Sequence, residues 1–185
     1  MSTRAGSILG AAAAALALCA GPAAAGGQPA ALSAAGSALP TRTAGAAAQP
    51  DGISTITSAS PEAAGKCLDV YDWGKGRDIQ MWACHGGSNQ AWTISWNGTS
   101  GGWNIQSLAS HQCVDGSLGK GEQLIQNSCG TGLGQAWKID SFVGAFRVEN
   151  IAYPGQCMDI YNWGRSSKVQ LWDCGSQANQ YWLSG

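Results

Sequence analysis

Asp69, Gln80, Trp82 and Asn89 recur ninety positions further on as Asp159, Gln170, Trp172 and Asn179. A carboxylate accepts hydrogen bonds from two vicinal hydroxyls. An indole face covers an apolar patch of polarised C–H groups. A carboxamide donates and accepts, so Asn89 can read a further hydroxyl while Gln80 orients the carboxylate from behind. A ring with hydroxyls on its rim and C–H bonds on its face, that is a sugar, suits this set. Tyr71, Trp73, Tyr161 and Trp163 repeat in the same register. They either extend the site or only pack the adjoining turn. Asp69 and Asp159 could instead cap a turn through their own backbone, and Trp82 and Trp172 could be ordinary strand aromatics.

Comparison of the chain with itself favours a site. Residues 67–92 align without a gap to residues 157–182, with 11 of 26 positions identical. A third copy lies between them. It keeps Cys113, Asp115, Cys129, Gln135 and Trp137, but Gly119 stands for Trp73, Ile125 for Gln80, Asn127 for Trp82 and Gly134 for Asn89. The polar and aromatic residues depart as a set while the scaffold stays. Residues lost together served one purpose, so a site is expected in the first and third copies only.

The elements that position these residues follow from the repeat. Gln90-Ala91-Trp92, Gln135-Ala136-Trp137 and Gln180-Tyr181-Trp182 place tryptophans at a constant interval of 45 residues. Fixed-period self-similarity defines the architecture before any local reading does. Trp92, Trp137 and Trp182, with Gln90, Gln135 and Gln180, occur in every copy, including the degenerate one, and are therefore assigned to the core. Six cysteines recur with the repeat in pairs 17, 16 and 17 residues apart, and the simplest pairing lies within each repeat: Cys67 with Cys84, Cys113 with Cys129, Cys157 with Cys174. Each closes a loop of ~16 residues, worth about 3 kcal/mol in the chain-entropy account. Short β-rich runs separated by glycine turns predict strands at 53–58, 67–71, 79–82 and 91–94, and at 146–153, 157–161, 169–172 and 181–183. Three repeats, at about 53–96, 103–141 and 146–185, then make an all-β domain of about twelve strands with few exposed edges.

The rest of the chain limits the function classes. Residues 1–50 contain 20 alanines and no aromatic residue, whereas all nine tryptophans lie beyond them, so residues 51–185 alone can build a core. Arg4, the apolar run 8–20 and Ala23-Ala24-Ala25 read as a signal peptide ending at Ala25, too short to span a bilayer. Residues 26–50 read as a flexible Ala/Gly/Ser/Pro-rich leader. Export suits disulfides and predicts a secreted, extracellular protein. Residues 51–185 carry 8 basic and 11 acidic side chains, net −3, with no basic run. That excludes a phosphate-clamping nucleic-acid surface. No nucleophile-elbow, metalloprotease or phosphate-loop motif occurs, and neither a metal nor a cofactor is expected.

Three Gln-x-Trp triplets, each preceded by Cys-x-Asp and, in the first and third copies, by Ile/Val-Gln-x-Trp-x-Cys, resemble the ricin B-chain-type lectins over about residues 53–185. The resemblance implies a β-trefoil carbohydrate-binding module with shallow sites at Asp69, Gln80, Trp82 and Asn89, and at Asp159, Gln170, Trp172 and Asn179. His85, after Cys84, matches a position where the family sometimes places a further sugar contact; the third repeat has Gly175 there. Galactosides or plant-type polysaccharides such as xylan are the implied partners, without catalysis. The alternatives are a trefoil that binds a protein, as an inhibitor or targeting subunit, and a glycan-active enzyme.

Overall fold

The computed structural model describes residues 52–185; the signal-peptide and leader assignments lie outside the described residues. The first repeat forms β1 (Gly52–Ser58), β2 (Lys66–Val70), β3 (Ile79–Ala83) and β4 (Ala91–Asn97). The second forms β5 (Gly102–Ser107), β6 (Gln112–Asp115), β7 (Ile125–Ser128) and β8 (Trp137–Phe142). The third forms β9 (Ala145–Asn150), β10 (Gln156–Ile160), β11 (Val169–Asp173) and β12 (Trp182–Ser184). Among the described residues there is no α-helix, only single 3-10 turns.

Six strands close on themselves: β1 pairs with β4, β4 with β5, β5 with β8, β8 with β9, β9 with β12 and β12 with β1, all antiparallel. Closure leaves these strands no free edge. The other six form the hairpins β2–β3, β6–β7 and β10–β11, which hydrogen-bond to one another around the axis through Ile79 N–H to Leu124 O, Leu124 N–H to Val169 O and Met81 N–H to Ser167 O. A six-stranded barrel closed by three hairpins is the β-trefoil.

Alternation along the strands fills its interior. Leu68, Val70, Ile79 and Met81 point inward from the first hairpin, and Met158, Ile160, Val169 and Leu171 from the third. Trp92, Trp137 and Trp182 are wholly buried. Each indole Nε1–H needs a partner there. They donate to Leu68 O, Val114 O and Met158 O at 3.0, 3.2 and 3.4 Å. Each repeat is thus tied to its own Gln-x-Trp. The disulfides join Cys67 to Cys84, Cys113 to Cys129 and Cys157 to Cys174.

Tyr71 and Tyr161, expected at strand ends, instead open the hairpin loops. The reason is the backbone that follows: Asp72 and Trp73 have φ of 52° and 54°, Asn162 and Trp163 of 55° and 59°. Left-handed residues cannot continue a strand.

Candidate functional site

Asp69 on β2 faces Gln80 on β3 across the ladder, and Asp159 on β10 faces Gln170 on β11. The two carboxylates are 2 % and 4 % exposed. Burying a charge is costly unless hydrogen bonds replace its water. Here amides do so. Asp69 Oδ1 accepts from Gln80 Nε2 at 3.0 Å, and Oδ2 accepts from Asn89 Nδ2 at 2.8 Å and Gln90 Nε2 at 3.0 Å. In the third repeat Gln170, Asn179 and Gln180 approach Asp159 at 3.0, 2.7 and 3.0 Å.

A carboxylate has about four acceptor positions. Three are taken, so one remains on Oδ1 for a ligand hydroxyl rather than the two anticipated from residue type. Asn89 Nδ2 also donates to Val70 O at 3.3 Å. Both of its protons are used, and its Oδ1 is the atom left to accept a further hydroxyl proton.

Gln90 has a second task that its core assignment missed. Its Oε1 accepts from His85 N–H at 2.9 Å, and its Nε2 donates to Ala83 O at 3.0 Å as well as to Asp69. The Gln-x-Trp glutamine therefore braces the repeat and holds the site carboxylate with one side chain. Gln180 does the same through Gly175 N–H, Asp173 O and Asp159.

Aromatic residues wall each cradle. Trp82 and Trp172 lie on the outward faces of β3 and β11 and are 55 % and 45 % exposed. Trp73 and Trp163 project from the loops, 69 % and 61 % exposed. Holding a non-glycine residue in the left-handed region costs roughly 1–2 kcal/mol, and both loops do so at two consecutive positions. Strain repeated at equivalent places points to function. The first cavity, about 350 Å3, is lined by Asp69, Tyr71, Asp72, Trp73, Gln80, Trp82, His85 and Asn89. The third, about 460 Å3, brings together Asp159, Tyr161, Trp163, Gln170, Trp172 and Asn179, with Asp173 and Gln177 added. All the expected first- and third-repeat residues therefore converge. Asp72, Asn162, Asp173 and Gln177 were missed because they differ between the copies, and identity between copies was the signal used.

The middle repeat has put its aspartate to another use. Asp115 Oδ1 accepts from Ser117 N–H at 2.7 Å, while Oδ2 accepts from Asn127 and Gln135 at 2.8 and 3.1 Å. This is the turn-capping role considered for Asp69 and Asp159, realised in the copy that lacks counterparts of Trp73 and Trp82. Gly134, in Asn89's place, lies so close to Ser117 that a Cβ would fall 2.8 Å from Ser117 Cβ. Burial desolvates Asp115 and alone would raise its pKa, but bonds from Asn127, Ser117 and Gln135 outweigh it and hold the group below the usual carboxylate value. At Asp159 desolvation wins over the Gln170, Gln180 and Asn179 bonds, and the pKa lies above the usual value.

The middle repeat also braces the loop beside the first pocket. Gln126 stands opposite Val114, the register at which the other hairpins carry Met81 and Leu171. It is 3 % exposed. Its Nε2 donates to Gly74 O at 3.1 Å and Gly76 O at 2.6 Å, and its Oε1 accepts from Ser110 Oγ at 2.5 Å. A polar residue in a core register thus clamps the loop that carries Trp73. The third repeat's loop meets Ser60 Oγ, 3.5 Å from Trp163 O, and the Arg165–Glu62 ion pair instead. Trp96 and Trp103 form an edge-on pair at 5.4 Å, with Trp103 against the core.

The family described as "Ricin-type beta-trefoil lectin domain-like" matches residues 43–117 and 88–172. The chain belongs to this family. Among solved structures, the designed three-fold symmetric protein ThreeFoil is similar with a TM-score of 0.64 at 23 % identity, covering 72 % of this chain and 98 % of that one. The Macrolepiota procera ricin B-like lectin, in complex with lactose, gives a TM-score of 0.61 at 23 % identity, covering 75 % and 97 %. At such identity the likeness speaks for the fold. A curated relative, "Serine protease 1" of Rarobacter faecitabidus, is 25 % identical over 119 residues. That match takes in 63 % of this chain but only 21 % of the protease.

Proposed function

We propose that this protein is a secreted lectin that binds carbohydrate through shallow pockets in its first and third repeats, without catalysis. One observation carries the reading: a buried carboxylate, held by three amides and left with one free acceptor position, lies beside exposed aromatics twice over. Such a pocket offers a pyranose a face to stack on and a fixed acceptor for a hydroxyl. Galactosides or xylan-type polysaccharides are the proposed ligands, by the family's habit and by the lactose complex of the Macrolepiota procera lectin. Three intramolecular disulfides suit an oxidising, extracellular setting. A carboxylate bound by three amides is poorly placed to exchange protons with a substrate, which favours binding over hydrolysis.

The test is a glycan array, followed by calorimetric titration of the best ligands with the wild type, Asp69→Ala, Asp159→Ala and the double variant. Each single variant is expected to retain one site and the double variant none. A double variant that binds as the wild type does would overturn the assignment. Two weak sites on one chain gain from avidity on a polymer, so the single losses are larger on a polysaccharide than on a free sugar.

A further inference from the structure

The two pockets are not copies of each other, and one difference between them lies in two coupled positions. In the first, the His85 ring lies against Trp73 at 4.8 Å between centroids. Its Nε2 is 3.6 Å from Asp69 Oδ2, and its Nδ1 accepts from Gly87 N–H at 3.1 Å. Position 87 has no room for a side chain: a Cβ there would fall 2.6 Å from His85 Cε1 and 2.7 Å from Asn89 Oδ1. In the third pocket the equivalents are Gly175 and Gln177. Gly175 is not required by its backbone, since its φ is not positive, and a Cβ there would meet nothing nearer than 3.9 Å. Bulk has moved from the position after the cysteine to the position two further on. The first pocket gains an imidazole wall and needs a glycine behind it. The third loses the wall and gains a carboxamide on its lining.

Resting on the carbohydrate reading, we infer that the pockets select different positions in a glycan. The first, closed at His85, takes a chain-terminal sugar residue. The third, open at Gly175, takes a residue with a neighbour still attached, and that neighbour lies along Gly175 towards Gln177. The Gln177 amide both donates and accepts, so it suits the hydroxyls of the adjoining residue. Asp173, held by Lys120 Nζ at 2.6 Å, adds a polar rim on the same wall. The third cavity, at about 460 Å3 against about 350 Å3 in the first, has the more room for an adjoining residue.

The experiment uses the full chain with one pocket disabled, Asp159→Ala to leave the first and Asp69→Ala to leave the third. Each is titrated with xylose, xylobiose and xylotetraose, and with galactose and lactose. From monosaccharide to longer chain the third pocket is expected to gain about tenfold, as one or two added neutral hydrogen bonds would give, and the first pocket less than about twofold. His85→Gly with Gly87→Gln is expected to confer the length dependence on the first pocket; Gly175→His with Gln177→Gly is expected to remove it from the third. His85→Gly alone, which only deletes atoms, gives the same direction should the double exchange fail to fold. Equal length dependence in the two pockets, or preferences unmoved by the exchange, would overturn this inference and leave the carbohydrate reading standing. No binding of any probe by the wild type would overturn both.

Discussion

Replacing Asp69 and Asp115 in turn by alanine tests the proposed binding carboxylate against a structural one. Both are buried, and both accept three hydrogen bonds, from Gln80, Asn89 and Gln90 in one case and from Ser117, Asn127 and Gln135 in the other. Each bond to a charged acceptor is worth about 1.5–3 kcal/mol. The full sum is not lost. Asn89 still has Val70 O, Gln90 still has Ala83 O and Gln135 still has Ser128 O, and the variant no longer desolvates a charge. Removing one partner of a buried charged network costs about 3–5 kcal/mol; with these surviving partners, about 2–4 kcal/mol is expected for either variant. Calorimetric melting checks this, and both variants should melt well below the wild type. Binding should divide them. In an Asp159→Ala background, Asp69→Ala removes the one free acceptor position and weakens the first pocket roughly 10- to 150-fold, the equivalent of one charge-assisted bond. Asp115→Ala, tested in the same background, should bind sugar as well as its parent does. Equal losses of affinity in the two variants would mean that the effect is folding, and the cradle argument would fail.

Other expectations follow from the same geometry. Trp82→Ala should weaken the first pocket about tenfold by removing a stacking face, while the melting temperature shifts by only about 2 °C because the ring is exposed; titration and melting on one sample check both. Gln126→Met restores the core register of the other hairpins but releases Gly74 and Gly76, so first-pocket affinity should fall and third-pocket affinity should not, measured in the single-pocket backgrounds. With its pKa above the ordinary 3.8, Asp159 should protonate and the third pocket fail as pH falls, before it reaches that value; titration of the Asp69→Ala variant between pH 7 and pH 3 reports it. The stability signs are opposite for the two aspartates. The raised Asp159 contributes stability that is full below 3.8 and lost as pH rises through its folded pKa, whereas the lowered Asp115 contributes stability that is full above 3.8 and lost as pH falls through its folded pKa. Melting curves against pH for Asp115→Ala and Asp159→Ala, each compared with wild type, check the two directions.

Much of this architecture was legible in the residues because a repeat writes its constraints three times. The Gln-x-Trp period located Trp92, Trp137 and Trp182 in the core, since every copy must fill the same axis. The recurring cysteine spacing of 17, 16 and 17 residues paired the disulfides within repeats. The joint loss of Trp73, Gln80, Trp82 and Asn89 equivalents at Gly119, Ile125, Asn127 and Gly134 marked out the residues that line the two cavities. Residues that act within one repeat and in the same way each time leave that kind of trace.

What only the tertiary structure decided is how groups from separate segments share atoms. Counting acceptor positions on Asp69 requires knowing that Gln90 reaches it as well as Gln80 and Asn89, and that depends on a 3-10 turn folding back over the hairpin. Gln126 lies at a core register and looks misplaced in sequence; its partners, Gly74 and Gly76, belong to another repeat some fifty residues away. The exchange of His85 and Gly87 for Gly175 and Gln177 reads as loop drift until the space around each Cβ is known. Periodicity along a chain records which faces turn inward. Hydrogen-bond capacity and free volume belong to positions in space, and these were set when the three repeats closed on one another.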